Sequence, residues 1–284
     1  MNAIEVKNLN KSFSAGLSFK KNQVLKNLSF SAKPQCVTGF LGANGAGKTT
    51  TFKIMMGLLH ADSGEVLIHG KPISNDTKKN LGFMPERPQF PDHLNAHEFM
   101  AFLCNFHHID QQKNKIKQSL DLVGLKDVGN KLIKDFSKGM VQRLGLAQSI
   151  IHSPDLVILD EPMSGLDPNG RRDLIHIIKG IATSGTTVFL SSHLLDDVQR
   201  LCDDIVLIDQ GKTLFSGSVE DIQKRTSAKF RLISIQNGSK KEEVFETYTE
   251  ASAALQKYLE AGDKIIDFSP YQSFEQAVME LQQR

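Results

Sequence analysis

Apolar and polar positions change period several times along the chain, and each change predicts an element. Ile4, Val6 and Leu9 alternate as a half-buried strand does, and Val24, Leu28, Phe30 and Val37 extend a strand-rich opening. Cys36-Val37-Thr38-Gly39-Phe40-Leu41 is a buried strand running into a glycine-rich loop, and residues 50–56 read as the helix after it. Asp62-Ser63-Gly64 predicts a turn, followed by a strand over residues 65–70. From about Asn95 to Ile151 the period becomes helical, with Phe99, Phe102, Leu103 and Phe106, then Ile116, Leu120 and Val123, at three- and four-residue spacing. Three continuous apolar runs follow, at residues 156–159, 187–190 and 205–208, of the kind a parallel sheet buries on both faces. Leu174, Ile177, Ile178 and Ile181 mark a helix between the first two. The pattern predicts an α/β fold: a twisted sheet with helices on both faces and its ligand at the carboxyl ends of the strands.

Beyond about Val219 the pattern changes. Residues 229–235 alternate, residues 244–247 are a candidate partner strand, and residues 251–259 are helical. Ser273-Phe274-Glu275-Gln276 fits a helix-capping pattern. We therefore expect a larger α/β domain over residues 1–218, with a helical stretch at about 87–151, and a small α+β appendage over 219–284.

Composition narrows the class without naming it. Thirty-four Lys and Arg against 32 Asp and Glu leave a formal charge of +2, so no nucleic-acid or anionic-surface partner is called for. No apolar run reaches the roughly 18–20 residues of a membrane span, and the N-terminus lacks a signal pattern, so a cytoplasmic chain is expected. Cys36, Cys104 and Cys202 lack metal-site spacing and read as reduced structural residues. His93 and His97 stand four apart but have no acid or cysteine in register, and read as surface residues.

The chemistry is concentrated in four short segments. Gly42-Ala43-Asn44-Gly45-Ala46-Gly47-Lys48-Thr49-Thr50 fits the phosphate-cradling pattern G-x-x-x-x-G-K-[ST], between a strand and a helix. Glycines let backbone N–H groups curl around an anion, Lys48 brings charge to phosphate, and the Thr49 hydroxyl is a Mg²⁺ ligand candidate. The run 156–159 ends in Asp160 and Glu161, the first placed to hold Mg²⁺ and the second to act as general base on water. His193 follows the strand at 187–190, at the same carboxyl edge, where an imidazole can contact phosphate. Phe136-Ser137-Lys138-Gly139-Met140 opens a helix and forms a second anion site. Ser137 lies 89 residues beyond Lys48, with a helical region between. Two chains packed head to tail would bring both to one nucleotide.

These segments, with Ser164-Gly165-Leu166-Asp167, stand in the order and spacing of ABC-transporter ATPase subunits, which the chain resembles over about residues 2–218. The resemblance implies a P-loop NTPase mixed sheet with an N-terminal antiparallel β subdomain and an inserted helical subdomain. It also implies an ATPase that uses ATP and Mg²⁺, dimerises with itself or with a second ATPase subunit, and energises a separate transmembrane permease. Ser137 and Gly139 would reach the partner chain's γ-phosphate, residues 164–167 would link the two sites, and His193 would be the switch histidine. Phe13 stands where the family stacks an aromatic on adenine, although packing of Phe13 in the core competes. Part of a phenylalanine-rich patch (Phe83, Phe90, Phe99, Phe102, Phe106) would receive a cytoplasmic helix of the permease, with core packing as the alternative.

Two positions depart from the family pattern. The signature commonly reads L-S-G-G-Q, and the form here resembles the multi-subunit, mostly exporting branch. Glu86 occupies the usual glutamine position, where a carboxylate can bind Mg²⁺ but cannot donate a hydrogen bond to water. The rival readings are a non-transport ATPase of the same superfamily and a regulatory subunit that binds ATP without turning it over.

Overall fold

Among the described residues, ten strands and seven α-helices between Ile4 and Ser218 follow from the alternation of apolar runs with polar turns. The computed structural model describes residues 1–14, 21–224, 229–236, 239–271 and 274–283. Strands β1 (Ile4–Ser14), β2 (Lys21–Ala32), β4 (Ser63–Ile68) and β5 (Lys71–Pro72) form an antiparallel sheet in the order β2-β1-β4-β5. Strands β3 (Val37–Leu41), β6 (Leu81–Met84), β7 (Leu156–Leu159), β8 (Thr187–Ser192), β9 (Asp204–Asp209) and β10 (Lys212–Ser218) form a second sheet, ordered β10-β9-β3-β8-β7-β6. The pairs β3–β8, β3–β9, β6–β7 and β7–β8 are parallel. Every residue of β3, β7 and β8 is buried, which is why apolar residues dominate them and β7 is apolar throughout.

The two sheets share one core. Phe30 of β2 packs on Phe40 of β3 and Phe189 of β8, and those two meet Phe52 of helix α1 (Lys48–Met55), the paired ring centroids lying 5.1–5.7 Å apart. Each such buried ring stabilises the fold by roughly 1.5–3 kcal/mol. The cluster anchors the helix that carries the glycine loop to the sheet that supplies the carboxylates.

The turn expected at 62–64 is instead the start of β4. Asp62 accepts the Ser12 backbone N–H at 2.6 Å and the Lys11 ammonium at 2.9 Å, which holds the segment against β1. Gly64 (φ +88°) faces Asn8 (φ +48°), where the β1–β4 register shifts between Lys7 and Asn10. The turn-like residues are accommodated as a bulge.

Helices α2 (Asn75–Lys79), α3 (Ala96–Phe106), α4 (Gln112–Leu122), α5 (Lys138–Ile150), α6 (Pro168–Thr183) and α7 (Leu195–Leu201) complete this unit. Helices α3, α4 and α5 pack on one another, and α5 also packs on β6. Within the phenylalanine-rich patch, Phe99 is buried edge-on to Phe90 (5.0 Å), and Phe83 packs at the core margin. Phe102 and Phe106 are 60% and 69% exposed on α3.

The chain divides into two compact units, Met1–Ser216 and Gly217–Arg284. The second contains α8 (Val219–Lys224), β11 (Lys229–Gln236), β12 (Ser239–Phe245), α9 (Tyr248–Glu260), β13 (Lys264–Tyr271) and α10 (Phe274–Gln283). Its antiparallel sheet is ordered β12-β11-β13, with α9 packed on it. Strand β12 begins earlier than the pattern suggests because Lys240, Lys241, Glu242 and Glu243 hide the alternation. A capping box between Thr247 and Glu250 starts α9 three residues before the expected helix. Strand β13 has no counterpart in the sequence reading. Ser273, expected to cap the last helix, lies outside the described residues.

Candidate active site

The glycine loop joins β3 to α1, and its glycines are required by space as well as by backbone angle. A Cβ on Gly42 would stand 2.6 Å from the Ile208 carbonyl oxygen. Gly47, the residue before α1, has φ +110°, and a Cβ there would meet Leu25 Cδ2 at 2.6 Å. Helix α1 has no side-chain cap and no acid in its first turn, whereas α2 and α3 both close their first turns with capping boxes. The first-turn N–H groups of α1 are thus left to the loop, as an anion site requires. Lys48 is 7% exposed, and its ammonium donates to the carbonyls of Gly42 (2.7 Å) and Ala43 (3.4 Å).

The acids arrive from the ends of β7 and β8. Asp160 is buried just after β7; its Oδ2 accepts the Thr49 hydroxyl at 3.3 Å and its Oδ1 accepts the Ser191 hydroxyl at 2.6 Å. Burial pushes the Asp160 carboxyl above the usual carboxylate range, opposed by those two hydroxyl bonds and reinforced by the charges of Glu161 and Glu86. The same Ser191 oxygen accepts the Glu161 backbone N–H at 2.8 Å. Glu161 has φ +47°, a left-handed conformation that is strained for a side chain with a Cβ. Its Oε2 accepts from His193 Nδ1 at 2.8 Å, and its Oε1 lies 3.5 Å from Lys48 Nζ. One carboxylate is thereby held between the loop lysine and the histidine after β8.

These groups border a cavity of about 530 Å³. Of the sequence candidates, Asn44, Gly45, Gly47, Lys48, Thr49, Thr50, Glu86, Glu161 and His193 line it. Gly42, Ala46 and Asp160 are buried behind the loop and shape it from beneath. Glu86 is half exposed and sits 3.8 Å from Arg87 Nε. Phe13 is 40% exposed with Lys11 Nζ 5.6 Å from its ring centroid, so it is not a core residue. Phe13 pairs with Asn22 across β1 and β2, and Asn22 lines the cavity together with Val24.

Ser137 and Gly139 do not line this cavity. Ser137 caps α5, its hydroxyl accepting the Met140 N–H at 3.3 Å, on an exposed surface of the same unit.

Sequence reasoning missed Ser191, Asn22 and Val24. Ser191 carried a signal: it is a polar residue directly after the apolar run Val188–Leu190 of β8, and buried polar groups there need partners. The β2 pair carried none, because only strand pairing brings it to the cavity.

The oxygen donors of Thr49, Asp160 and Glu86 suit a hard cation such as Mg²⁺, and the raised Asp160 carboxyl marks a position where positive charge is favoured. Among the described residues no helix is long and apolar enough to cross a membrane.

Residues 25–164 match the sequence family described as ABC transporter. An ABC transporter ATP-binding protein of Synechocystis is 40% identical over 227 residues, covering 78% of this chain and 64% of that protein, so the chain spans less than two thirds of that relative. The lantibiotic transport ATP-binding protein SrtF of Streptococcus pyogenes is 36% identical over 211 residues, 74% of this chain and 89% of that one. A solved structure of an ATP-binding subunit of an ABC transporter superposes with a TM-score of 0.68 at 26% identity, covering 78% of this chain and 92% of that one. With its phosphate loop, its paired acids and these relatives, the chain belongs to the ABC transporter family of ATP-binding proteins.

Proposed function

We propose that this chain binds ATP over residues 42–50 and hydrolyses it as the cytoplasmic ATPase subunit of a transporter with a separate membrane permease. The observation that carries the reading is the placement of Glu161 between Lys48 Nζ and His193 Nδ1, at the mouth of the glycine loop. In this reading the loop N–H groups and Lys48 bind and orient the phosphates. Glu161 takes a proton from the attacking water at its carboxylate, and His193 keeps that carboxylate turned toward the cavity. Thr49 and Asp160, with Glu86 at the same cavity, would hold Mg²⁺, which neutralises charge on the phosphate oxygens. Phe13, on the strand paired to Asn22, stacks on the adenine.

The position of Ser137 and Gly139 away from the cavity supports a head-to-tail dimer, with itself or with a second ATPase subunit. Each chain then completes the other's site. Residues 1–218 are assigned to the ATPase and 219–284 to the appendage. Export is the proposed direction on the form of the signature, Ser137-Lys138-Gly139-Met140, and one relative is a lantibiotic transport ATP-binding protein. Exposed Phe102 and Phe106 supply the apolar face for a permease helix.

The test is phosphate release and size-exclusion chromatography on the full chain and on Glu161→Gln. The variant is expected to bind ATP, to lose turnover at least about 100-fold, and to accumulate as an ATP-dependent dimer. A variant that remains monomeric with ATP bound overturns the dimer reading. Full-rate hydrolysis by the variant overturns the catalytic one.

A further inference from the structure

Strand β2 reaches the cavity near its start, at an irregularity in its pairing. Ser12 pairs with Gln23 but Lys11 pairs with Leu25, so Val24 is an extra residue in β2, a bulge. Bulges re-aim the side chains beside them, and Asn22 and Val24 both line the cavity. Backbone bonds tie this part of β2 to the glycine loop through Gly211, which follows β9. Lys26 N–H donates to the Gly211 carbonyl at 2.9 Å, and Gly211 N–H donates to the Ala46 carbonyl at 3.0 Å. The place of Asn22 relative to the phosphate-binding loop is thereby set by the main chain. Across the hairpin Asn22 stands directly opposite Phe13. Opposed residues of an antiparallel pair share one face of the sheet, so ring and amide lie side by side. Among the described residues no hydrogen bond engages the Asn22 side chain. The two ends of the cavity therefore differ: Lys48, Glu161 and His193 gather at one, and Asn22 and Val24 enter from the β1–β2 hairpin.

We propose that Asn22 reads the edge of the nucleobase and makes the site prefer adenine to guanine nucleotides. This rests on the ATP reading above and names the residue that selects the base. The N7 and 6-amino groups of adenine set an acceptor beside a donor, which an asparagine amide matches with two hydrogen bonds. The same edge of guanine presents N7 and O6, both acceptors, so one bond is lost and two oxygens face each other. An aromatic ring stacks on either purine, because every base has a π-face. Phe13 thus supplies affinity for a base, and Asn22 supplies the choice between bases. Asn22 is exposed, so water competes for its amide. The preference is expected at about five- to tenfold, the low end for a bidentate pair.

Displacement of a ribose-labelled fluorescent ATP analogue from the full-length chain tests the proposal. The competitors are ATP, GTP, 7-deaza-ATP and inorganic triphosphate, against the parent, Asn22→Ala and Phe13→Ala. The parent is expected to favour ATP over GTP by about five- to tenfold, and to bind 7-deaza-ATP, which lacks the N7 acceptor, more weakly than ATP. Asn22→Ala is expected to bind ATP, GTP and 7-deaza-ATP alike. Its affinities for GTP and triphosphate should stay within about twofold of the parent, since phosphate contacts carry no base information. Phe13→Ala is expected to weaken ATP and GTP together and to keep their ratio. Equal affinity of the parent for ATP and GTP, or a preference that survives Asn22→Ala, overturns the base-reading role while ATP binding stands. Loss of triphosphate binding in Asn22→Ala assigns the residue a structural role and overturns it as well. A parent chain that binds the analogue without saturation overturns the ATP reading itself, and this inference with it.

Discussion

His193 donates through Nδ1 to Glu161 Oε2 at 2.8 Å, and the other oxygen of that carboxylate is 3.5 Å from Lys48 Nζ. The histidine and the glycine-loop lysine are 145 residues apart in the chain, yet they set one side chain's orientation from opposite sides. His193→Ala should leave Glu161 present but unaligned. Turnover is expected to fall about 10²-fold, the lower range for a positioned acid–base group, with ATP affinity changed far less. Parallel phosphate-release and nucleotide-binding titrations check the split.

Ser191 bridges the two acids, donating to Asp160 and accepting from the Glu161 backbone, and it is fully buried. Ser191→Ala leaves the Glu161 N–H and one Asp160 oxygen without that partner, which costs about 1–3 kcal/mol. Thermal unfolding should drop by roughly 2–10 °C, and turnover should fall as well. Unchanged melting would mean the bridge contributes nothing to stability.

Phe13 is too exposed for its removal to open a core cavity. Phe13→Ala should shift stability by no more than about 0.5 kcal/mol. If the ring stacks on adenine, the substitution should weaken ATP binding by roughly 5- to 100-fold, matching the 1–3 kcal/mol of a stacked base. Phe13→Tyr should restore it. Calorimetric titration with ATP and with inorganic triphosphate separates base contact from phosphate contact, since only the first should respond.

Phe102 and Phe99 lie on the same helix with opposite environments: Phe99 is buried against Phe90, and Phe102 is open. Phe99→Ala should destabilise the helical subdomain by about 3–5 kcal/mol. Phe102→Ala should leave melting and ATPase activity intact while reducing co-purification with the membrane permease. Normal assembly of Phe102→Ala with the permease would remove this face from the docking reading.

His152 gives the stability a pH dependence away from the active site. Burial, and then the charge of His107 stacked 4.4 Å away, lower its pKa to about 4. Lys115 adds to the lowering, and a hydrogen bond involving Leu81 opposes it. The unfolded chain takes up this proton near pH 6.5, and the folded chain only near 4. The contribution is therefore fully present above about pH 7 and is lost as pH falls through that window. Partial solvent access limits it to roughly 1–2 kcal/mol at pH 5. Urea midpoints at pH 7.5 and 5.0 should differ less in His152→Gln than in the parent chain.

Much of this was legible along the chain. The runs at 156–159 and 187–190 declared themselves as buried parallel strands because both faces of such strands exclude polar residues. The glycine loop was legible because its backbone angles and close packing admit few other residues. Strand β13 and the true start of β12 were not legible, since charged edge positions and a short apolar stretch leave no clear period. Core packing and surface exposure for Phe13 could not be separated by alternation alone. Pairing with Asn22 beside Lys11 decided it.

By itself the sequence determined which chemical groups are present and which strand or helix end carries each, because local period and turn chemistry act over a few residues. Only the tertiary structure decided how they meet. Ser191 became the bridge between Asp160 and Glu161 through the parallel alignment of β7 with β8. Such contacts join residues about 30 positions apart, and their distances are set by sheet register and close packing, which no short window of sequence contains.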